Sequence, residues 1–137
     1  MSANRRKRQN SNDSRHYYDW LDHAGEDLVC AQLLVQDDFT YNSAAFHCQQ
    51  TIEKSFKAYI LLKSGRLVDG HNLTWLCRQA TKHNQSYSQW LTPTAALNRA
   101  YIETRYPADN PTELEFTTVR EYYNTAKELY TIICEEI

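Results

Sequence analysis

The sequence contains few of the residues that interrupt regular structure. Only three glycines and three prolines occur among its 137 residues, so the chain is expected to form long regular elements. No segment alternates apolar and polar residues with a period of two, which argues against β-strands. Ten tyrosines, three tryptophans and four phenylalanines are available for aromatic packing. At this length, the composition predicts a single domain with a substantial core.

Long apolar runs are also missing. The longest one spans only a few residues, which is too short for a transmembrane helix or for the apolar region of a signal peptide. We therefore expect a cytoplasmic protein that has no membrane partner.

The spacing of the cysteines argues against metal and redox motifs. No C-x-x-C pair occurs, and each cysteine lies among apolar neighbours. Buried free thiols are the expected state, and neither a metal site nor another cofactor is predicted. The four cysteines are Cys30, Cys48, Cys77 and Cys134.

Positive charge is concentrated at the N-terminus. Residues 1–15 contain five basic residues and one acidic residue, so the net charge of −2 divides into +4 for this segment and −6 for the remainder. We expect residues 1–13 to be a disordered basic tail and residues 14–137 to form the helical domain. A negative body binds phosphate backbone poorly, so any nucleotide site must be a local basic pocket.

Residues 42–63 are the stretch around which the chain is organised. No glycine or proline interrupts them, and Gly65 supplies a helix stop just beyond. Their apolar residues recur at steps of three and four and form one stripe of a helix, made of Ala45, Cys48, Ile52, Phe56, Tyr59 and Ile60. A polar stripe on the opposite side consists of His47, Gln50, Lys54 and Lys57. We interpret this polar stripe either as a solvated face or as a binding surface.

The rest of the chain is expected to form four further helices joined by loops. The third helix is capped by His71 or Asn72, and the fourth begins with Thr92 as its cap followed by Pro93. Residues 83–92 are expected to form a loop anchored by aromatic side chains. The whole is predicted to be an all-α, up-and-down bundle of about five helices. Apart from the third helix, the approximate limits are residues 14–36, 42–63, 93–104 and 117–135.

Four short motifs follow one another along these helices. In chain order they are Ala-Gly-Glu-Asp-Leu at 24–28, His-Cys-Gln-Gln at 47–50 with Glu53-Lys54 and Lys57-Ala58 after it, Gly-His-Asn-Leu at 70–73, and Tyr-Ile-Glu-Thr-Arg-Tyr-Pro-Ala-Asp at 101–109. Together, in this order and at these separations, they resemble the HEPN domain. The resemblance covers about residues 17–135 and is closest to the stand-alone prokaryotic type and to the related domain at the end of sacsin.

The resemblance implies a bundle that pairs into a homodimer and is often encoded beside a minimal nucleotidyltransferase. Some members of the family bind nucleotides, and others are RNA-cleaving toxins. The RNases are marked by an arginine followed, after four to six residues, by a histidine. Arg105 is at the arginine position, but Asn110, Pro111 and Thr112 stand where the histidine is expected. No catalytic residue is therefore assigned.

We expect a nucleotide- or RNA-associated binding module that forms one half of a two-component system with the nucleotidyltransferase. A nucleotide site needs cations for the phosphates and a flat group or an amide for the base. Six residues of the sequence supply these groups: His47, Gln50, Lys54, Lys57, Arg105 and Tyr106.

Two alternatives remain open. An RNase toxin would use Arg105, or Arg78 and His83, which lie in the short third helix and the loop after it. A protein-interaction scaffold would use the polar stripe to contact a partner protein without binding a nucleotide. The role of Arg105 is open as well, because Asp109 or Glu53 could form an ion pair with it.

Overall fold

The computed structural model describes residues 12–105, 107 and 113–137, and the side chains of all of these except 100–105. The described residues form five α-helices and two 3-10 helices and contain no strand, which confirms the predicted all-α bundle. The α-helices are α1 (Tyr17–Leu34), α2 (Tyr41–Ser64), α3 (Leu73–Thr81), α4 (Leu91–Arg105) and α5 (Phe116–Glu136). The 3-10 helices Asp38–Thr40 and Gln85–Trp90 lead directly into α2 and α4. None of the described helices combines the length and apolar character needed to cross a membrane.

Helix α2 lies at the centre of the bundle and packs against α1, α3, α4 and α5. Its predicted apolar stripe is buried along its whole length. The helix ends because Gly65 adopts a φ of 72°, which residues with a side chain rarely adopt. The N–H of Gly65 donates to the carbonyl oxygen of Leu61 at 2.8 Å. Burial extends beyond the stripe to several polar residues, so α2 is enclosed on most sides; these are Gln49, Thr51, Glu53, Ser55 and Lys57.

Contacts at the two ends of α2 give the directions of its neighbours. The start of α2 packs with Val35, just after α1, and with Val119, in the first turn of α5. At the other end, the rings of Tyr59 and Tyr87 lie 4.9 Å apart, and the Tyr87 hydroxyl donates to Glu136 at the end of α5. Helix α1 is therefore antiparallel to α2, whereas α5 runs parallel to it.

Residues 85–90 are not the predicted loop. The Asn84 side chain accepts the N–H of Ser86 at 3.0 Å and caps a 3-10 helix that continues into α4. Thr92 therefore lies inside a helix and is not its cap. Pro93 still falls in the first turn of α4, where proline is tolerated.

The cysteines do not share one environment. Cys48 and Cys77 are buried, as predicted, but Cys30 and Cys134 are exposed, so the prediction is wrong for these two. Their sequence neighbours are apolar, yet both lie on outward faces of α1 and α5. Burial raises the pKa of the Cys48 thiol to about 12, which keeps it protonated.

Candidate nucleotide site

Asp27 on α1 joins two residues of the polar stripe of α2. It is only 8% exposed. Its Oδ1 lies 2.8 Å from Nδ1 of His47, and its Oδ2 lies 2.6 Å from Nζ of Lys54. Helix α1 therefore covers this part of the stripe, and the interpretation of the stripe as a solvated face is wrong.

The surroundings of Asp27 keep its carboxylate ionised. Burial alone would raise the pKa of Asp27, but hydrogen bonds from His47 and Lys54 and the positive charge of Lys54 bring this pKa below its usual value. Because Nδ1 of His47 is engaged by the carboxylate, Nε2 is the ring nitrogen that remains for another partner.

Glu53 on α2 is the centre of a second polar cluster. Its carboxylate contacts Nζ of Lys57 at 3.3 Å, Nδ1 of His71 at 2.9 Å and Nε2 of Gln49 at 3.2 Å. Lys57 is 6% exposed, and its ammonium lies 5.5 Å from the centre of the Trp20 ring. Lys57 is thus committed to contacts inside the domain.

His71 takes part in this cluster and does not cap α3. The cap is Asn72, whose side chain accepts the N–H of Trp75 at 3.0 Å. The His71 carbonyl oxygen, 3.2 Å from Nε2 of Gln49, ties the start of α3 to the central helix.

The side-chain amides of Gln49 and Gln50 connect the Glu53 cluster to the candidate nucleotide site. Gln49 is fully buried, and its Nε2 donates both to the Glu53 carboxylate and to the His71 carbonyl, which are acceptors only. Its Oε1 must then be an acceptor, and it receives a hydrogen bond from Nε2 of Gln50 at 2.7 Å. Gln50 is half-buried and keeps its carbonyl oxygen for a further donor.

Sequence reasoning missed the residues that hold the site, namely Asp27, Gln49 and Glu53. Asp27 lies in the motif at 24–28 and Glu53 in the one beside His47, so the motifs did contain a signal. Hydrophobic periodicity gave no signal for these three residues, because buried polar residues follow the same spacing as apolar ones.

A cavity of about 210 Å³ adjoins this network at Lys54. The indole Nε1 of Trp20 donates to the Ser14 carbonyl at 2.8 Å, which fixes the ring at the cavity wall. This volume is below the roughly 300–1,000 Å³ of typical ligand pockets, so it suits a base or a sugar better than a whole nucleotide. The cavity is lined by Asn12, Asp13, Ser14, Asp19, Trp20, His23 and Lys54.

Ser14 also explains where α1 begins. Its Oγ accepts the N–H of His16 at 3.1 Å and donates to the Asp19 carboxylate at 2.6 Å. These contacts hold an extended turn, so α1 begins at Tyr17, three residues later than predicted.

Arg105 and Tyr106 are the two predicted site residues whose side chains lie outside the described residues, as does Asp109. Helix α4 extends to Arg105. Two turns earlier, Oδ1 of Asn98 accepts the N–H of Leu73 at 2.9 Å, beside the Glu53 cluster. Helix α4 therefore passes along the region that holds the polar stripe.

Arg78 and His83 lie away from His47. The His83 ring is 6.4 Å from the ring of Tyr59, which follows His47 by twelve residues on α2, or about 18 Å along the axis. Arg78 is exposed on α3. Among the described residues, no group of three or more His, Cys, Asp or Glu residues is placed to hold a metal ion.

Comparison with known proteins gives a family and a fold. Residues 17–137 match the HEPN domain family. The crystal structure of TT1696 from Thermus thermophilus has a TM-score of 0.76 and 24% sequence identity, covering 90% of this chain and 100% of that one. ST0689, described as an archaeal HEPN homologue, has a TM-score of 0.69 and 22% identity, covering 88% and 97%. No curated protein matches the sequence.

Proposed function

The chain belongs to the HEPN domain family, and on that premise we propose that it is a nucleotide-binding module, one half of a two-component system with a minimal nucleotidyltransferase. The observation that carries this proposal is the fixed presentation of His47, Gln50 and Lys54 along one stripe of α2, with Lys54 at the wall of the cavity at Trp20. Each of the three is held by another residue of the polar network. Little conformational entropy is therefore lost when a ligand binds.

The six predicted residues have different roles in this proposal. Lys54 and Arg105 contact the phosphates, and the carbonyl oxygen of Gln50 accepts a hydrogen bond from the base. Tyr106 supplies a stacking face. His47 adds a polar contact through Nε2. Lys57 supports the site from inside the domain, because its side chain is buried, whereas that of Lys54 is partly exposed.

The test is a thermal-shift and calorimetric titration with ATP, GTP, CTP and UTP. We expect at least one nucleotide to raise the melting temperature, because a ligand that binds only the folded state stabilises it. Arg105→Ala should weaken binding about tenfold or more, the cost of one charge-assisted contact. Arg99→Ala, which removes an exposed arginine from the same helix, should leave the affinity nearly unchanged.

Absence of any stabilisation at millimolar nucleotide would reject this function. In that case, a tagged chain that still recovers a protein partner would support the scaffold alternative. Recovery of a nucleotidyltransferase, encoded beside this gene and bound in a fixed ratio, would support the two-component proposal.

An RNase is the second candidate, and it is favoured by the contact between Asp27 and His47. A carboxylate on Nδ1 orients an imidazole so that Nε2 can transfer protons, as cleavage at a 2′-hydroxyl requires. Arg105 stays protonated and cannot act as the base. We expect the purified protein to leave RNA intact. Cleavage that His47→Ala or Arg105→Ala abolishes in a folded protein would establish the RNase instead.

A further inference from the structure

A groove with an exposed tryptophan lies at the C-terminal end of α2, beyond the candidate nucleotide site. We propose that this groove binds single-stranded RNA, independently of the nucleotide site. It lies between the end of α2, the loop that follows and α3, and its volume is about 440 Å³. Its lining includes an apolar floor at Ile60 and the side chains of Arg66, Asp69, Trp75, Gln79 and His83. We call this region the α3 groove.

Positive charge surrounds the α3 groove although the body of the protein is negative. Residues 63–83 contain four basic side chains against one acidic side chain, Asp69. The ion pairs among the described residues involve none of these four, so their charge is available to phosphates. Lys63 also interacts electrostatically with the carboxylate of Glu136, which lies at the end of α5. The four basic residues are Lys63, Arg66, Arg78 and Lys82.

Trp75 provides the stacking face that a single strand needs. Its side chain is 42% exposed on α3, one turn before Arg78 and Gln79. A base stacks on an exposed aromatic ring while neighbouring cations follow the phosphate backbone, and this combination binds single strands with little sequence preference. The groove has the volume of a typical ligand pocket, so it can hold an unpaired base against the indole.

The polar groups of the α3 groove favour RNA over other polyanions. The Asp69 carboxylate repels acidic peptides, and a ribose 2′-hydroxyl, which DNA lacks, is both a donor and an acceptor for polar groups of the groove. Gln79 adds an amide whose Oε1 receives a hydrogen bond from Lys82 Nζ at 3.1 Å, which leaves its N–H groups for a base or a sugar. A duplex offers no unpaired base to Trp75.

The test is fluorescence anisotropy of the full-length chain with a labelled single-stranded 12-mer RNA at about 50 and 200 mM salt. We expect Trp75→Ala to weaken binding about tenfold and Trp75→Phe to retain most of the affinity. The double variant Arg66→Gln/Arg78→Gln should lower the slope of log K against log salt by about 1.4, or about 0.7 per lost phosphate contact. Lys127→Gln, on an exposed face of α5, should change neither.

Three results would overturn the proposal. The first is unchanged binding by Trp75→Ala in a folded protein, which would assign RNA binding to the basic N-terminal residues. The second is equal affinity for DNA of the same sequence or for a duplex of the same length. The third is tighter binding of an acidic peptide. Failure of nucleotides to bind, with RNA binding that depends on Trp75, would reject the proposed nucleotide site and leave this groove supported.

Discussion

Asp27 shows how one buried carboxylate organises the polar face of α2. Because hydrogen bonds hold its pKa below the unfolded value of about 3.9, its contribution to stability is fully present above that value. The contribution is lost as pH falls through the lower folded-state pKa. Acid should therefore loosen α1 from α2 below about pH 4.

Asp27→Asn keeps the size of the side chain and removes its charge. We expect a loss of about 3 kcal/mol at pH 7, because His47 and Lys54 would face an amide instead of a carboxylate. For a domain of this size, that corresponds to a fall in melting temperature on the order of 10 °C. The variant should also lose part of the acid dependence seen in the wild type. Glu26→Gln, at the exposed neighbouring position, is the control, and equal stability of the two variants would contradict the account.

Gly25 is a place where α1 approaches α5 closely. A Cβ at this position would lie 2.9 Å from the Tyr130 hydroxyl oxygen. Alanine is a better helix former than glycine by about 1 kcal/mol, but here that gain is opposed by displacement of the tyrosine. We expect Gly25→Ala to stabilise the Tyr130→Phe variant by more than it stabilises the wild type. A double-mutant cycle measures the difference, and strict additivity would show that the hydroxyl moves aside without cost.

At the scale of elements, Ser14 is the residue that ties the segment before α1 to the helix. Ser14 anchors Trp20 and Asp19, whereas the residues before it are polar and basic. We expect deletion of residues 1–13 to leave the melting temperature nearly unchanged. Deletion of residues 1–16 should lower it, because it also removes the Ser14 contacts. A loss of several degrees already in the shorter deletion would show that residues 1–13 stabilise the domain.

The helices were predictable because their apolar residues repeat locally, and α2 was predicted to within one residue at each end. The 3-10 helix Gln85–Trp90 was not predicted, because six residues are too few to show a hydrophobic period. It is held by distant contacts such as that between Tyr87 and Glu136. The partners of the polar stripe were missed for a related reason. The packing of the two helices decides which face of α1 meets His47. The local spacing of residues in the sequence does not give this information.

At the scale of the whole molecule, the sequence predicts a homodimer through Phe46 and Leu61, two apolar residues of α2 that lie away from its main stripe. Leu61 is buried within the protomer, so it cannot form an interface. Val29 and Leu33, one turn apart on α1, are 55% and 64% exposed and offer an apolar face.

We expect light scattering at tens of micromolar protein to give twice the 16.1 kDa of one chain. Leu33→Glu should shift the protein toward the monomer without unfolding it, because the side chain is already exposed. Lys127→Glu, also at an exposed position, is the control for the change of charge. A mass of about 16 kDa for the unmodified chain would rule the dimer out under these conditions.

The enclosure of α2 has a consequence for how this protein changes over evolutionary time. Most residues from Ala44 to Leu61 are buried, so a change of side-chain volume there needs a compensating change elsewhere. The exposed faces of α1 and the loop after α2 carry no such constraint. Two proteins with this fold share only 24% and 22% of their residues with the chain. Residues that are identical among proteins of this fold should therefore be concentrated along the central helix. The α3 groove and the outer face of α1 can change more freely and bind different partners.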